Sequence, residues 1–283
     1  MKKLPVFLLL AFVCAAAFGQ TRIHDGKKVS GTWKAKKSPY IIEGEAIVPE
    51  GKTLKIKPGV VVKFNTGEER DYSFGENPDF DLGFLRVNGT LIASGTSDNR
   101  ISFTRNGAEG FWGVVFFDSR SEKNKLSHCD FSFGYHIRHA VQDDNGTGVV
   151  SFFKSNGIVE HCVFVDNGWT AINCKEGSSP EIRNNTLIFN QYGIECNTNS
   201  APSIVNTILY GNDTEFYVNG GSAPTLSWSL TEFPISEEGL EDSGHNMSGT
   251  YPEFRDEDKN DFRLSTGSPC IGAGKGGKNI GAF

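Results

Sequence analysis

Beyond its opening segment this 283-residue chain has no apolar run that approaches the ~20 residues a helix needs to cross a bilayer. It therefore offers no membrane span. It also lacks an excess of positive charge: Lys and Arg total 28 against 34 Asp and Glu, a formal net charge of −6. A protein that grips nucleic acid needs a basic footprint, so that class is excluded as well. Cysteine is too sparse for a disulfide framework, and the five beyond Cys14 (Cys129, Cys162, Cys174, Cys196 and Cys270) make an odd set. Good helical stripes are scarce too. The 33 glycines and 22 phenylalanines instead accompany short apolar or alternating runs, which predict an all-β chain.

The opening residues differ from the rest. Lys2 and Lys3 precede an apolar run from Leu4 to Ala17, and Ala17-Phe18-Gly19 leads into polar sequence from Gln20. This is the layout of a secretory signal peptide over residues 1–19, so the protein is expected to be secreted, periplasmic or extracellular. Val13 is bulky where a lipoprotein signal wants a small residue before Cys14, so plain export is expected. Loss of the two lysines takes the charge from −6 to about −8. Residues 20–63 hold ten Lys/Arg against four Asp/Glu, which leaves the remainder near −14.

A repeat organises the middle of the chain. Pro180, Pro202 and Pro224 fall 22 residues apart, followed by "PEIRNNTLIFNQYGIEC", "PSIVNTILYGNDTEFYV" and "PTLSWSL". The unit before them, "GIVEHCVFVDNGWTAINC", lacks the proline and keeps the pattern. Aligned by motif, Ile158, Ile182, Ile204 and Leu226 form one column. Cys174, Cys196 and Val218 form a second, and Cys129, Cys162, Thr186 and Thr207 a third. So short a unit cannot bury an apolar face alone, whereas stacked copies can, each coil pairing with the next at ~4.8 Å. Asn167-Gly168, Asn190 and Gly211-Asn212 recur where the chain must bend, and both residue types tolerate left-handed backbone. Cysteine exchanges with threonine and valine in these columns, as small core residues do. Cys174 and Cys196, on neighbouring coils, are also close enough to bridge.

Upstream, "LKIKPGVVVKF" (54–64), "LRVNGTLIASG" (85–95), "ISFT" (101–104) and "WGVVFF" (112–117) continue the theme. Together with "SGTWKAKKSPYIIEGEAIVPEGKTLKIKPGVVVKF" before them and "DFRLSTGSPCIGAGKGGKNIGAF" at the end, they give a chain that resembles secreted right-handed parallel β-helix proteins of the pectate-lyase-like superfold. The resemblance covers nearly all of the mature chain. It implies a single-stranded solenoid over residues 20–245, N-terminal cap included, with 246–283 as a C-terminal capping segment and no sorting domain after it. It leaves the activity open, because the superfold hosts lyases, hydrolases, epimerases and non-catalytic surface proteins. The partner it implies is a polysaccharide or cell-surface glycan, met by a monomer.

Lys52, Lys55, Lys57 and Lys63 alternate with Leu54, Ile56 and Val62 and are expected to point outward. Such lysines guard the open edge of a solenoid against pairing with another chain; a basic patch for an anionic glycan is the alternative. Two stretches break the rhythm. Between Phe64 and Leu85 lies "NTGEERDYSFGENPDFDLGF", whose Asp71, Glu76, Asp79 and Asp81 offer the hard oxygens that Ca2+ takes, at a spacing that matches no calcium loop. The second is "FGYHIRHAVQDDNGT" (133–147). His128 to His161 spans 33 residues where later coils need 22–24, so roughly ten extra residues loop out around 134–147. Extra residues at one turn build the wall of a groove. The columns place Tyr135 or His136, Trp169 and Tyr192 near one another, a substrate-binding row for sugar rings. Val163, Leu187 and Ile208 are expected outward in a line with Asp130.

Two chemistries fit these residue types. Glycoside hydrolysis needs two carboxyl groups ~5–5.5 Å apart for retention or ~6.5–9.5 Å for inversion, and Asp130 with Asp143 or Asp144 is the pair on offer. A polysaccharide lyase would use Arg138, His136 or His139 within hydrogen-bond reach of its sugar's acidic proton. Asp143-Asp144-Asn145-Gly146 is also a plain turn signal. The chain thus reads as a protein that binds or processes extracellular polysaccharide, or as a non-catalytic surface or adhesive solenoid.

Overall fold

Short strands separated by sharp bends stack into three parallel sheets of ten, eight and nine strands, here called the first, second and third. The computed structural model describes residues 19–67, 82–137 and 148–283. Each coil gives one strand to each sheet. Val163–Val165, Thr170–Lys175 and Glu181–Arg183 make one coil. The next lays Thr186–Ile188, Tyr192–Cys196 and Ser203–Val205 in parallel register on it. The fold is the expected all-β parallel helix. No helix among the described residues is long and apolar enough to cross a membrane.

Alternation along each strand sends every second side chain inward, and coil stacking turns these into columns. Phe103, Phe131, Phe164, Leu187 and Leu209 follow one another on the first sheet. Phe117, Phe152, Cys174, Cys196 and Val218 do so on the second. The rings of Phe103, Phe131 and Phe164 stack at 4.6 and 4.7 Å, close to the strand spacing itself. Each such fully buried side chain contributes about 1.5–3 kcal/mol. Among the described residues the five cysteine thiols are buried and free, and Cys174 and Cys196 form no bridge. Mutual contact and then burial raise the Cys196 thiol pKa.

Two columns differ from the sequence alignment, which set Ile158 and Cys162 each 24 residues before Ile182 and Thr186, where the registered spacing is 23. On the third sheet it is Val159, not Ile158, that stacks on Ile182, Ile204 and Leu226. On the first, Val163 pairs with Thr186, which places Cys162 beside Asn185 and sends Leu187 inward onto Phe164. The cause is one corner. The bend between Phe152 and Val159 has one residue fewer than that between Cys174 and Ile182. A one-residue slip exchanges the two faces of a strand.

The corners repeat as faithfully as the strands. His128, His161, Asn184, Asn206 and Trp228 bend the chain from third to first sheet, all at φ of 50–53°. Phe133, Asp166, Phe189 and Gly211 do so from first to second, and Lys154, Glu176, Thr198 and Gly220 from second to third. Left-handed backbone suits the glycines and is tolerated by Asn184, Asn206 and Asp166, and it disfavours bulky residues such as Phe133, Phe189 and Trp228. Side-chain ladders beside each corner hold them. Asn167 Nδ2 donates to Asn190 Oδ1 at 2.7 Å, and Asn190 Nδ2 to Asn212 Oδ1 at 2.9 Å. Ser155 Oγ accepts the Ser119 N–H at 2.6 Å, and Ser222 Oγ that of Ser200 at 3.0 Å. The predicted turn asparagines Asn167, Asn190 and Asn212 are thus buried struts, each one position after the left-handed residue of its corner, Asp166, Phe189 or Gly211.

At the N-terminal end Thr21–Ile23, Lys27–Lys28 and Gly31–Trp33 form the edge coil. Lys52, Lys55 and Lys57 lie one coil further in, and the edge carries exposed Lys27 and Lys28 of its own. At the far end Ile235 and Leu240 pack against the core. The segment from 246, expected as a cap, mostly covers a side. After Met247–Ser248 pairs with the first sheet, the chain turns back along that sheet's outer face. Phe254, Phe262, Cys270, Ile280 and Ala282 bury the outward Val163, Ile188, Ile208 and Leu230. Ala282 N–H donates to Thr186 Oγ1 at 3.1 Å, and Gly281 N–H to Asn206 O at 2.8 Å.

Candidate functional site

The corner between first and second sheets carries aromatic side chains on four successive coils, and a fifth coil adds Tyr217 from within its second-sheet strand Thr214–Val218. Phe111 stacks on Tyr135 with centroids 5.6 Å apart. Tyr135 meets Trp169 edge to face at 5.9 Å, Trp169 meets Tyr192 at 5.7 Å, and Tyr192 meets Tyr217 at 6.3 Å. Repeat geometry explains the row. Trp169 immediately precedes the strand Thr170–Lys175, Tyr192 opens Tyr192–Cys196, and Thr170 pairs with Tyr192 in register. Gly168 is required there, since a Cβ would stand 2.9 Å from the Phe111 ring and 3.0 Å from that of Tyr135.

Where the row reaches its C-terminal half it borders a cleft. Trp169, Tyr192 and Tyr217 line it with Glu195, Asn197 and Asn219, around about 540 Å3 of empty space open to solvent. Glu195 lies in the outward column Ser151, Asn173, Glu195, Tyr217 of the second sheet. Its carboxylate accepts from Thr170 Oγ1 at 3.0 Å and from Asn197 Nδ2 at 2.7 Å. A carboxylate has about four lone-pair sites, so acceptor capacity remains toward the cleft.

A family model of the right-handed β-helix region matches residues 84–229. The chain belongs to that family. No curated protein matches it significantly. The matched span includes the whole aromatic row of this right-handed β-helix. Membership carries the architecture and leaves the chemistry to the site.

The β-helix brings together Tyr135, His136, Trp169 and Tyr192. His136 is only 1% exposed and lies between Tyr135 and Trp169, with centroids at 4.3 and 4.8 Å, so it supports the row from beneath. Asp130 is elsewhere. It accepts from Arg100 Nε at 2.7 Å, and the same guanidinium donates to His161 O at 2.8 Å and faces the Phe283 ring. Burial raises the Asp130 carboxyl pKa against the opposing pull of Arg100. Its outward neighbours are Val163, Thr186 and Ile208; Leu187 faces the core instead. Arg138, His139, Asp143 and Asp144 lie outside the described residues, as do Asp71, Glu76, Asp79 and Asp81. Among the described residues no three His, Cys, Asp or Glu side chains are grouped to hold a metal ion.

Glu195, Asn197, Tyr217 and Phe111 escaped the sequence reading. For the first three a signal existed. Once Cys174, Cys196 and Val218 are set inward, their neighbours Glu195, Asn197 and Tyr217 must point out. A second charged cluster, on the third sheet, is self-contained. Burial alone would raise the Glu160 carboxyl, but Lys125 and Arg183, each at 2.7 Å, hold it down to about 2.

Proposed function

We propose that this β-helix is an exported protein that binds extracellular polysaccharide along the corner between its first and second sheets. The observation that carries the reading is the row Phe111, Tyr135, Trp169, Tyr192, Tyr217, one ring or ring pair per coil. Sugar rings present apolar C–H faces and hydroxyl edges. Aromatic faces take the first, while the amides of Asn197 and Asn219 and the carboxylate of Glu195 suit the second. A row running along the solenoid axis at one coil per ~4.8 Å suits a polymer better than an isolated sugar. Among the described residues the cleft lining offers one carboxylate, Glu195, where hydrolysis uses a pair, and that lining supports binding.

Affinity electrophoresis through gels containing neutral, amino and uronate polysaccharides tests this reading. The mature protein should be retarded by at least one, and a Trp169→Ala/Tyr192→Ala protein should run freely in the same gel. Reducing-end and unsaturated-sugar assays on the retaining glycan should stay at background. Retardation by none would overturn the reading and leave the solenoid as a spacer.

A further inference from the structure

Resting on the glycan reading, we infer that the cleft takes a positively charged amino-sugar unit of the bound polymer. Among the described residues six line it, and they contribute one formal charge, the carboxylate of Glu195. The Thr170 hydroxyl and the Asn197 amide that donate to that carboxylate are neutral, so they orient the charge without cancelling it. In the neighbouring coils the flanking members of its column are Asn173 and Tyr217, again uncharged. The nearest cation in register is Lys175, which is buried beside Asn197 and does not line the cleft.

Three rings complete the enclosure. Trp169 and Tyr192 stand at 62° to one another, as do Tyr192 and Tyr217, so the walls present faces in different directions. A cation within ~6 Å of such faces is attracted by the ring quadrupole, most strongly where water is partly displaced. A protonated 2-amino group would therefore meet aromatic faces and a carboxylate with free lone pairs together. A uronate would set a second negative charge against Glu195. A neutral or N-acetylated sugar would keep the ring contacts and give up the charge term. Charge far from the site acts in the same direction, since the chain beyond residue 63 is near −14.

Calorimetry with the mature protein separates these cases, using oligomers of glucosamine, N-acetylglucosamine, glucose and galacturonate of equal length. The glucosamine oligomer should bind roughly tenfold tighter than the glucose oligomer, and the galacturonate oligomer weakest. Added salt should erode that advantage. Because acetylation alters the ligand and not the protein, the glucosamine to N-acetylglucosamine ratio is free of any folding effect. Glu195→Gln, checked for an unchanged melting curve, should bring the glucosamine to glucose ratio close to one. Equal affinity for the glucosamine and glucose oligomers overturns this inference and leaves glycan binding standing. Preference for galacturonate overturns it as well. If neither these oligomers nor any gel polysaccharide binds, both readings fall together.

Discussion

The first and second sheets of this β-helix come from the same alternation, and their outer faces have opposite fates. Outward on the first sheet stand Val163, Ile188, Ile208 and Leu230, an apolar strip that residues 250–283 cover with Phe254, Phe262 and Ile280. Outward on the second, and at the corner leading into it, stand polar and aromatic side chains: Asn173, Glu195 and Tyr217 beside Trp169 and Tyr192. A contiguous apolar strip left bare would invite association, so the chain spends its aperiodic segment there. The aromatic row is left partly in water with hydrogen-bonding groups among its rings. Among the described residues no such segment covers the row, which is the face proposed for the ligand.

The comparison can be broken by truncating matched rings on each face. Phe262→Ala, beneath the covering segment, should lower unfolding free energy by about 3–5 kcal/mol in urea titrations. Trp169→Ala should weaken glycan binding by about 2 kcal/mol in calorimetry. Tyr217→Ala, at a ring 44% exposed, should change stability by no more than about 0.5 kcal/mol while still weakening binding. If Phe262→Ala were harmless to folding, or if it alone abolished binding, the division of labour between the faces would be wrong.

Two carboxylates sharpen the contrast through pH. Glu215, on the last strand of the second sheet, is raised to about 7, by burial first and with Glu232 adding to it against two backbone N–H donors. The fold binds its proton more tightly than the unfolded chain does. Its contribution is therefore full below pH 4.5 and is lost as pH rises toward 7. Glu160 runs the other way. Lys125 and Arg183 hold it at about 2, so its contribution is full above pH 4.5 and is lost as pH falls toward 2. Urea midpoints across pH should then decline on the alkaline side less steeply in Glu215→Gln. On the acid side they should decline less steeply in Glu160→Gln, from a lower plateau.

Much of this was readable in the residues. Pro180, Pro202 and Pro224 mark the coils, and the column arithmetic brought Tyr135, Trp169 and Tyr192 together before any coordinates did. It failed at one unit, where the bend between Phe152 and Val159 makes the spacing to the next coil 23 residues and the alignment had set it at 24. A strand's two faces differ by one position, so that slip moved Ile158, Thr186 and Leu187 into the wrong columns. The cover over the first sheet was invisible for another reason: residues 250–283 carry no period, and only their packing shows which face they serve. Phe111 precedes the well-marked coils and had no column to join. Glu195 was hidden by its ordinariness, one acidic residue in an acidic chain, until the inward Cys196 fixed its direction.

The most direct test of the central claim is oxidative footprinting of aromatic side chains with and without a saturating retained glycan. The account predicts several-fold protection of Trp169, Tyr192 and Tyr217. It also predicts unchanged labelling of Tyr251 and Phe283, which are 43% and 36% exposed on the covering segment. Protection of Tyr251 and Phe283 with the row still labelled as before would contradict it.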